Sequence, residues 1–446
     1  MFALSGNAYT GQKTLKEPTS TLVEVGSPSS DDTPLALRND QHILEDSKTS
    51  TIEPSLTGSD VVPDPLLEDL ERVMADITLK DEPADKEVDR ATLLVQASLF
   101  KQEAEFQRVM VYRDRGWNHN KDKGDTFFKA QRENADKADD EGEQRFYKMM
   151  IKIAHDLDST TEALHPPVLA GRNIKVMDIC MAPGGYSAAV LQMHPGAEIF
   201  GLTLPKNEGG HSMVLPINKL RGIKYADVTM LASEMLKGTD KTVPKSYPDS
   251  AKFNPLRPFV SHKMDLVFLD GIVLRTHERA SYRQQNEPLR LSTAQLVLGM
   301  QRLTQGGTLV MLMHKVDSWA SVNVIYTFSK FATLHLFKPK SAHATRSSFY
   351  LVARNVDVES PLAAAAVAEW KNKWYNATFG GPVGTGGDVP EPEDTVVLGI
   401  LRTFGERLIQ MGIPLWKIQA DALAKSVYAG DVPSAPGRKK ESQSEV

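Results

Sequence analysis

The sequence is poor in cysteine: Cys180 is the single one among 446 residues. One cysteine excludes an intramolecular disulfide and a zinc site built from several thiolates, so no metal site is predicted. Such sparse cysteine use is typical of a reducing compartment inside the cell. The sequence also lacks a run of about 18 apolar residues and the apolar core of a secretory signal. We therefore expect an intracellular protein, of the cytoplasm or the nucleus, with no membrane insertion.

A strong net charge is absent as well. Lys and Arg number 52 against 57 Asp and Glu, which gives a net charge of −5 and argues against a wholly basic nucleic-acid coat protein. The average conceals a segregation of charge along the chain. Residues 256–350 hold twelve Lys and Arg against five Asp and Glu, a local charge of +7 that leaves −12 for the rest. This basic block favours an anionic partner.

The two ends of the chain differ from its centre. Residues 1–65 are rich in Ser, Thr, Asp and Pro without a sustained period, and we predict a disordered acidic tail there, with a second disordered tail at 431–446. Helical spacing of apolar residues predicts a helical N-terminal flank over 66–160, in which ATLLVQASLFKQEAEFQRVMVY is expected to form one long helix. A helical C-terminal extension is predicted over 359–430, with a pair of helices broken at Pro414.

The central region, 161–358, alternates strand-like and helical runs. Five short, nearly continuous apolar runs are IKVMDIC, AEIFGLTL, IKYAD, MDLVFLD and TLVMLMH. Strands of this kind, separated by helical segments, predict βαβ units and a mostly parallel sheet buried on both faces. Two further strands, ATLHLFKP and SSFYLVARN, are joined by a connection too short for a crossover helix, so an antiparallel pairing is expected. The predicted fold class is α/β with helical flanks at both ends.

A glycine-containing turn lies between the first predicted strand and the helix that follows it. In VMDICMAPGGYSAAVL, residues 176–191, the turn is formed by Pro183, Gly184 and Gly185. Glycines let a ligand approach backbone amides without a Cβ in the way, and ligands of open α/β sheets bind outside the carboxyl ends of the strands. The pattern is neither the dinucleotide-binding nor the P-loop motif. A different small-molecule site is therefore indicated at this turn.

DICMAPGGYS resembles the first motif of the FtsJ-like ribose 2′-O-methyltransferases, and the similarity extends over roughly residues 140–355. The resemblance implies a Rossmann-like methyltransferase sheet and S-adenosylmethionine as cofactor. The cofactor-binding residues that it implies are Asp178, Pro183, Gly184, Gly185, Tyr186, Asp227 and Asp270. It places Asp227 near the adenine amino group. It also assigns Asp270 to a Lys-Asp-Lys-Glu tetrad beside the transferred methyl group.

The other members of that tetrad depart from the family pattern. The first lysine has a candidate in Lys148, on the helix before the first strand. The second lysine is replaced by Leu312, for which His314 or Lys315, at the end of the same strand, is a candidate substitute. The glutamate is replaced by Ser348. The predicted catalytic residues are therefore Asp270, Lys148 and Lys315.

Three functions remain open from the sequence. The first is S-adenosylmethionine-dependent methylation of an RNA ribose 2′-hydroxyl, with the RNA held by basic loops at 275–283 and 338–346. Tyr282 and His277 are candidates for stacking on unpaired bases. The second is a catalytically degenerate methyltransferase fold that binds RNA or a protein partner. The third is methylation of a small-molecule hydroxyl.

Overall fold

The computed structural model describes residues 64–78, 88–136, 140–167, 171–387 and 390–430. The tail predicted at 431–446, and nearly all of the tail predicted at 1–65, lie outside the described residues. Within the described ranges, no helix is both long enough and apolar enough to cross a membrane.

The described residues form helices at both ends of the chain and an alternation of strands and helices between them. The helices are α1 (Pro65–Thr78), α2 (Arg90–Gln102), α3 (Ala104–Asp114), α4 (Lys121–Asp136), α5 (Asp140–Thr161), α6 (Gly185–Met193), α7 (Ala232–Met235), α8 (Glu287–Arg302), α9 (Trp319–Ser329), α10 (Pro361–Phe379) and α11 (Asp394–Leu423). A π-helical turn, Arg115–His119, joins α3 to α4. The strands are β1 (Lys175–Ile179), β2 (Glu198–Thr203), β3 (Gly222–Tyr225), β4 (Met264–Leu269), β5 (Leu303–His314), β6 (Thr333–Phe337) and β7 (Ser348–Val356).

The strands form one seven-stranded sheet in the order β3-β2-β1-β4-β5-β7-β6. All neighbours from β3 to β5 pair in parallel, whereas β7 runs antiparallel to both β5 and β6. The predicted Rossmann-like α/β class and the antiparallel end of the sheet are confirmed. The strand order changes direction between β1 and β4, and open α/β sheets bind ligands at such a switch point.

The continuous apolar runs are explained by two cores, one on each face of the sheet. Along β4, Leu266 and Phe268 pack into a core that contains residues of α5 and α6. Val267 and Leu269 pack on the opposite face, in a core that also contains residues of α2, α8, α10 and α11. Successive side chains of a strand point to opposite faces, so a strand covered on both faces needs apolar residues at every position.

Two helix predictions were wrong. Residues 91–112 form two helices, because Glu103 is extended and its carboxylate caps α3 by accepting from the Glu105 amide at 2.9 Å. Pro414 does not break a helix in two, because it lies inside the continuous α11. Burial of Leu415 and Trp416 beside α3 keeps the helical path through the proline, so tertiary packing overrides the local preference.

The N-terminal flank is attached to the carboxyl edge of the sheet by a buried ion pair. Asp317, between β5 and α9, is fully buried, and the Arg113 guanidinium of α3 donates to its two oxygens at 2.9 and 3.2 Å. Gln96 of α2 donates to the same carboxylate at 3.1 Å. Burial alone would raise the pKa of Asp317, but Arg113 holds it below its usual value. The carboxylate is therefore charged, buried and dependent on the flank.

Replacing Arg113 by Met is expected to lower the free energy of unfolding by about 3–5 kcal/mol, because the Asp317 charge would stay buried without its cation. Urea denaturation followed by circular dichroism measures the change. The matched control is Arg108→Met on the same helix, whose half-exposed side chain pairs with Glu105 and Asp421. Exposed pairs contribute about 0–1 kcal/mol, so equal losses in the two variants would contradict the assigned role of Arg113.

Candidate active site

A cavity of about 190 Å³ lies at the carboxyl ends of β1, β2 and β4. Pro183 and Tyr186 line it from the turn after β1, and Thr203 lines it from the end of β2. Asp227, which follows β3, and Asp270, which follows β4, complete this side. Four of the seven residues predicted to bind the cofactor, Pro183, Tyr186, Asp227 and Asp270, thus come together at one cavity.

The two glycines of the turn do not line the cavity, and the structure gives them a packing role. Gly184 has a φ of +96°, a conformation that L side chains rarely adopt, and a Cβ on it would lie 2.9 Å from the Cβ of Leu215. A Cβ on Gly185 would lie 2.4 Å from the Cβ of Met150 and 2.6 Å from the Tyr147 carbonyl oxygen. Gly185 therefore lets α5 lie directly against the first turn of α6, and Gly184 lets the segment around Leu215 approach the turn.

Asp178 also lies outside the cavity lining, although it was predicted to bind the cofactor. Its side chain is fully buried in β1, where one oxygen accepts from the Ser187 hydroxyl at 2.7 Å. The other oxygen has no hydrogen-bond partner among the described residues. Burial raises the pKa of Asp178 to about 7, against the opposing effect of Ser187. Asp178 therefore supports the turn from inside the sheet.

Asp270 is held at the cavity by the loop that follows β4. The Gly271 amide donates to the Gln295 side chain of α8 at 2.8 Å, and Gln295 donates back to the Gly271 carbonyl at 3.2 Å. A Cβ on Gly271 would lie 2.6 Å from the Cys180 sulfur, so only glycine fits this position. Gln295 is buried, and its two hydrogen bonds fix the direction in which the chain leaves β4.

The surroundings of Asp270 are apolar and phenolic. Burial and the nearby Asp178 carboxylate raise the pKa of Asp270 well above its usual value, and the hydroxyls of Tyr186 and Tyr350 offset this in part. Those two hydroxyls are 2.5 Å apart and hydrogen-bonded to each other. One oxygen of Asp270, Oδ1, is buried and lacks a hydrogen-bond partner in the described part of the chain. The carboxyl is thus poised for an additional cationic or donor group.

Asp227 belongs to a compact charged cluster behind the adjoining side of the cavity. The Arg283 guanidinium donates to Asp227 at 2.9 Å and to Glu287 at 2.8 Å, and it is itself buried. Burial would raise the pKa of Asp227, but Arg283 and the Thr229 hydroxyl lower it. Asp227, Glu287 and His277 could together offer ligand atoms to a metal ion. The two acids are, however, already paired with Arg283 and Arg290.

Two loops that line the cavity are joined to each other. The Thr276 hydroxyl, in the loop after β4, donates to the Gly209 carbonyl in the loop after β2 at 2.7 Å. A Cβ on Gly209 would lie 2.1 Å from the Thr276 carbonyl oxygen, and its φ of +87° also favours glycine. The same two loops contribute His211 and Ile272 to the lining. This contact closes one side of the cavity.

The charges of the lining suit a cationic cofactor. Its acids are Glu143, Asp227, Asp270 and Glu287, and its lone Lys or Arg among the described residues is Arg279. Because Asp227 and Glu287 are paired with arginines behind the lining, the acids that suit a cation are Glu143 and Asp270. S-adenosylmethionine carries a positive sulfonium, and an opposite charge nearby stabilises an ionised carboxylate. The orphaned Asp270 oxygen and the apolar contribution of α5 therefore fit this cofactor.

The two predicted catalytic lysines are not at this cavity. Lys148 is exposed on α5, whose Phe146, Met149 and Met150 line the cavity instead, so the structure does not bring Lys148 to the other predicted site residues. Lys315 lies outside this lining too, although it lines a neighbouring cavity. The apolar residues of α5, Phe146, Met149 and Met150 among them, recur at helical spacing and mark the side that faces the sheet, and Lys148 lies off that side.

The neighbouring cavity is larger, about 800 Å³, and lies between the sheet edge and the helical flanks. It meets the first cavity at shared residues, which are Gly271, Ile272, Val273, Leu291, Leu312 and His343. His343, in the β6–β7 connection, is the titratable member of that shared set. Burial lowers its pKa to about 4, assisted by the Arg346 and Lys338 cations, so the imidazole is neutral at neutral pH. Sequence reasoning missed His343.

The predicted RNA-binding loops are less exposed than expected. Lys338 is buried and donates to the carbonyls of His343, Arg346 and Ser348, which fix the β6–β7 connection. Burial lowers the pKa of Lys338 to about 7. Arg346 and Lys340 are exposed. Of the three basic residues predicted to bind RNA in this loop, Lys340 and Arg346 therefore lie at the surface and Lys338 does not.

The loop at 275–283 shows a similar division. Arg275 is exposed, whereas Arg283 is buried in its ion pairs. Tyr282 donates its hydroxyl to Asp249 and packs edge-on against Tyr247 at 5.8 Å, so it does not offer a free face for a base. The partly buried ring of Tyr282 packs against the core, and its stacking role stays a prediction.

The sheet and its cavity define the class of protein: a Rossmann-like fold of the methyltransferase kind. Residues 154–356 match the family described as FtsJ-like methyltransferase. This part of the chain is an FtsJ-like methyltransferase domain, and the protein is a methyltransferase that depends on S-adenosylmethionine.

Solved structures with related folds have low similarity. A protein described as a ribosomal RNA methyltransferase from Plasmodium falciparum is 19% identical with a TM-score of 0.30, covering 46% of this chain and 96% of its own. NSun6 from Pyrococcus horikoshii is 20% identical with a TM-score of 0.28, covering 47% and 51%. An O-methyltransferase family protein from Burkholderia thailandensis is 10% identical with a TM-score of 0.28, covering 66% and 96%. Comparison with curated proteins gives no match.

Cofactor binding is expected to depend on the ionisation of Asp270. Because the pKa of Asp270 is raised well above its usual value, a cation bound nearby favours loss of its proton. Affinity for S-adenosylmethionine should therefore strengthen as the pH rises through that raised pKa, above the range in which an ordinary aspartate titrates. S-adenosylhomocysteine lacks the sulfonium charge and should gain less. Isothermal titration calorimetry at several pH values gives the ratio of the two affinities. In Asp270→Asn the ratio should no longer change with pH; persistence of the same change would exclude Asp270 as its origin.

Proposed function

We propose that this protein transfers the methyl group of S-adenosylmethionine to a ribose 2′-hydroxyl of RNA. The observation that carries the proposal is the junction of two cavities with opposite charge. Histidines apart, the charged residues that line the cavity at the glycine turn are four acids and one arginine, whereas those of the larger cavity beside it are four Lys and Arg residues, with no acid in the described ranges. A cationic cofactor and a polyanionic acceptor would each find a complementary site, and their reacting groups would meet at the shared residues.

The charge of the larger cavity favours an anion. Its lining includes Arg113, Arg275, Lys315 and Arg346, and none of its residues in the described ranges is Asp or Glu. Arg113 is paired with Asp317, which is buried behind it. Phosphates contacted by Lys and Arg give affinity that falls with salt. Lys315, predicted as a base, is better suited to this electrostatic role.

Within the smaller cavity we assign Pro183, Tyr186, Asp227 and Asp270 to the cofactor. Both Asp227 oxygens are engaged by the protein, but a carboxylate accepts about four hydrogen bonds, so an adenine amino group remains a suitable partner. Asp178, Gly184 and Gly185 support the turn without lining the cavity. When bound, S-adenosylmethionine supplies an electrophilic methyl group next to a cationic sulfur. Alignment of that group with the acceptor oxygen would contribute much of the rate.

His343 is the group assigned to take the proton of the acceptor hydroxyl. It is the titratable side chain common to both linings, and its lowered pKa keeps the imidazole able to accept a proton at neutral pH. Leu312 stands at the same junction, where the family pattern has a lysine. A histidine from the β6–β7 connection would thus perform the role of the lost lysine, while nearby RNA phosphates would raise its pKa towards neutrality.

The remaining predictions of the sequence extend this proposal. We retain 161–358 as the methyltransferase domain, 66–160 as its N-terminal flank and 359–430 as its C-terminal extension. We place the reaction inside the cell, in the cytoplasm or nucleus, since a single cysteine is typical of proteins in reducing compartments.

The direct test is transfer of tritiated methyl groups to total cellular RNA by the purified protein. A ribose 2′-O-methyl group blocks alkaline cleavage of the adjacent phosphodiester, so labelled alkali-resistant dinucleotides are expected. Asp270→Asn should lower the rate about 100-fold or more, because the sulfonium loses its counter-charge. Lys148→Met, exposed and outside both linings, should stay within about twofold of the unaltered protein. Label recovered in mononucleotides after alkaline cleavage would refute ribose methylation. Label found in an RNA-free metabolite extract, with none in RNA, would establish the small-molecule alternative.

The proton-accepting role of His343 is tested by chemical rescue. His343 has a φ of +58°, which glycine adopts without strain, so His343→Gly should fold normally. At saturating cofactor and RNA, its kcat should fall about 10²- to 10⁴-fold and recover in part when imidazole is added. His335→Gln, on β6 and outside both linings, is the control. Loss of kcat without any rescue, together with a matching loss of RNA affinity, would contradict a role in proton transfer.

A further inference from the structure

The larger cavity has an aromatic wall contributed by the N-terminal flank, outside the matched 154–356 segment. Trp117 and Phe128 both line it. Their rings are nearly parallel, with an interplanar angle of 5° and a centroid distance of 5.7 Å. Trp117 nevertheless keeps 42% of its surface exposed. A large aromatic side chain is therefore supported by a second ring and left accessible at a cavity.

The backbone that carries Trp117 is specialised. Trp117 lies in the π-helical turn Arg115–His119, and such turns are uncommon and occur often at functional sites. Gly116, in the same turn, is buried, and a Cβ on it would lie 3.0 Å from the Tyr428 ring. A Cβ on Gly124 of α4 would lie 2.8 Å from the Gly116 carbonyl oxygen. The two glycines thus permit a close approach that fixes the turn.

Packing of the flanks accounts for the neighbouring rings but not for Trp117. Phe127 and Phe128 contact Tyr428 with centroid distances of 5.0 and 5.3 Å, and these three residues are all partly or fully buried. They join α4 to the segment after α11 in a small hydrophobic cluster. Trp117 lies at the exposed end of that cluster. Its aromatic surface is therefore available to a ligand without disturbing the packing beneath it.

We propose that Trp117, supported by Phe128, is a stacking platform for an unpaired base of the RNA acceptor. The inference rests on the proposed function, and it assigns the helical flank a direct part in substrate binding. A base stacked there would belong to a strand whose phosphates face the basic residues of the same cavity, while the strand continues towards His343. Base–aromatic stacking is tolerant of sequence, since every base has a flat face. The platform would hold single-stranded RNA without selecting a particular base.

The test compares two fluorescently labelled single strands of about eight nucleotides that carry the same phosphates, one of oligoadenylate and one whose riboses lack bases. Fluorescence anisotropy at fixed salt gives the affinities. Trp117→Ala should weaken oligoadenylate binding about 5- to 150-fold, the loss of one stacked base, and leave the abasic strand nearly unchanged. Trp117→Phe retains a ring and should recover most of the loss.

Tyr225→Ala is the matched control, because Tyr225 is 47% exposed at the end of β3 and lines neither cavity. Equal binding of oligoadenylate by Trp117→Ala and the unaltered protein would overturn the platform. A loss of the same size in Tyr225→Ala, or for the abasic strand, would also overturn it. The assay measures binding without methyl transfer. If the protein prefers oligoadenylate to the abasic strand but transfers no methyl group, only the proposed reaction is rejected. If methyl transfer occurs and is unchanged in Trp117→Ala, only the platform is rejected.

Discussion

The charge of Asp317 is the constraint on which the arrangement of the flanks depends. A carboxylate with no exposed surface requires a buried cation, and α3 provides it through Arg113, while α2 adds Gln96. Arg113 also donates to Ser347 of the β6–β7 connection at 3.2 Å. One guanidinium of the flank is therefore bonded both to the loop after β5 and to the loop before β7. These elements enclose the larger cavity. The helical flank is therefore part of the site rather than an appendage of the sheet.

Segregation of charge gives the two cavities different chemistry. Acids accumulate where the strands β3 and β4 end, and Arg283 and Arg290 of the 256–350 block are buried beside them as partners. The bases that remain accessible line the larger cavity together with residues from the flank. Cofactor and acceptor sites of opposite charge disfavour exchange of their ligands. Leu312 and Ile272 form an apolar boundary between the two cavities, at the place where the reacting groups would meet.

The sheet was predictable because continuous apolar runs and a glycine turn are local features of the sequence. The cavity at the end of β1 was predicted from the glycine turn, because ligands of open α/β sheets bind outside the carboxyl ends of the strands. The apolar period of α5 also indicates the side that buries Met150 and exposes Lys148. Two things could not be predicted in this way. The larger cavity joins residues as distant as Gln96 and Tyr428. The continuity of α11 through Pro414 depends on burial of Trp416, which a local rule for proline does not include.

The contact between Gly209 and Thr276 bears on the timing of turnover. It joins two loops that line the smaller cavity. Passage of a ligand on that side therefore requires the two loops to separate and afterwards to restore a very close backbone contact. Loop opening commonly takes microseconds to milliseconds and often limits release of products. A protein built in this way would retain its spent cofactor until the loops separate, and the frequency of that separation would set an upper bound on the catalytic cycle.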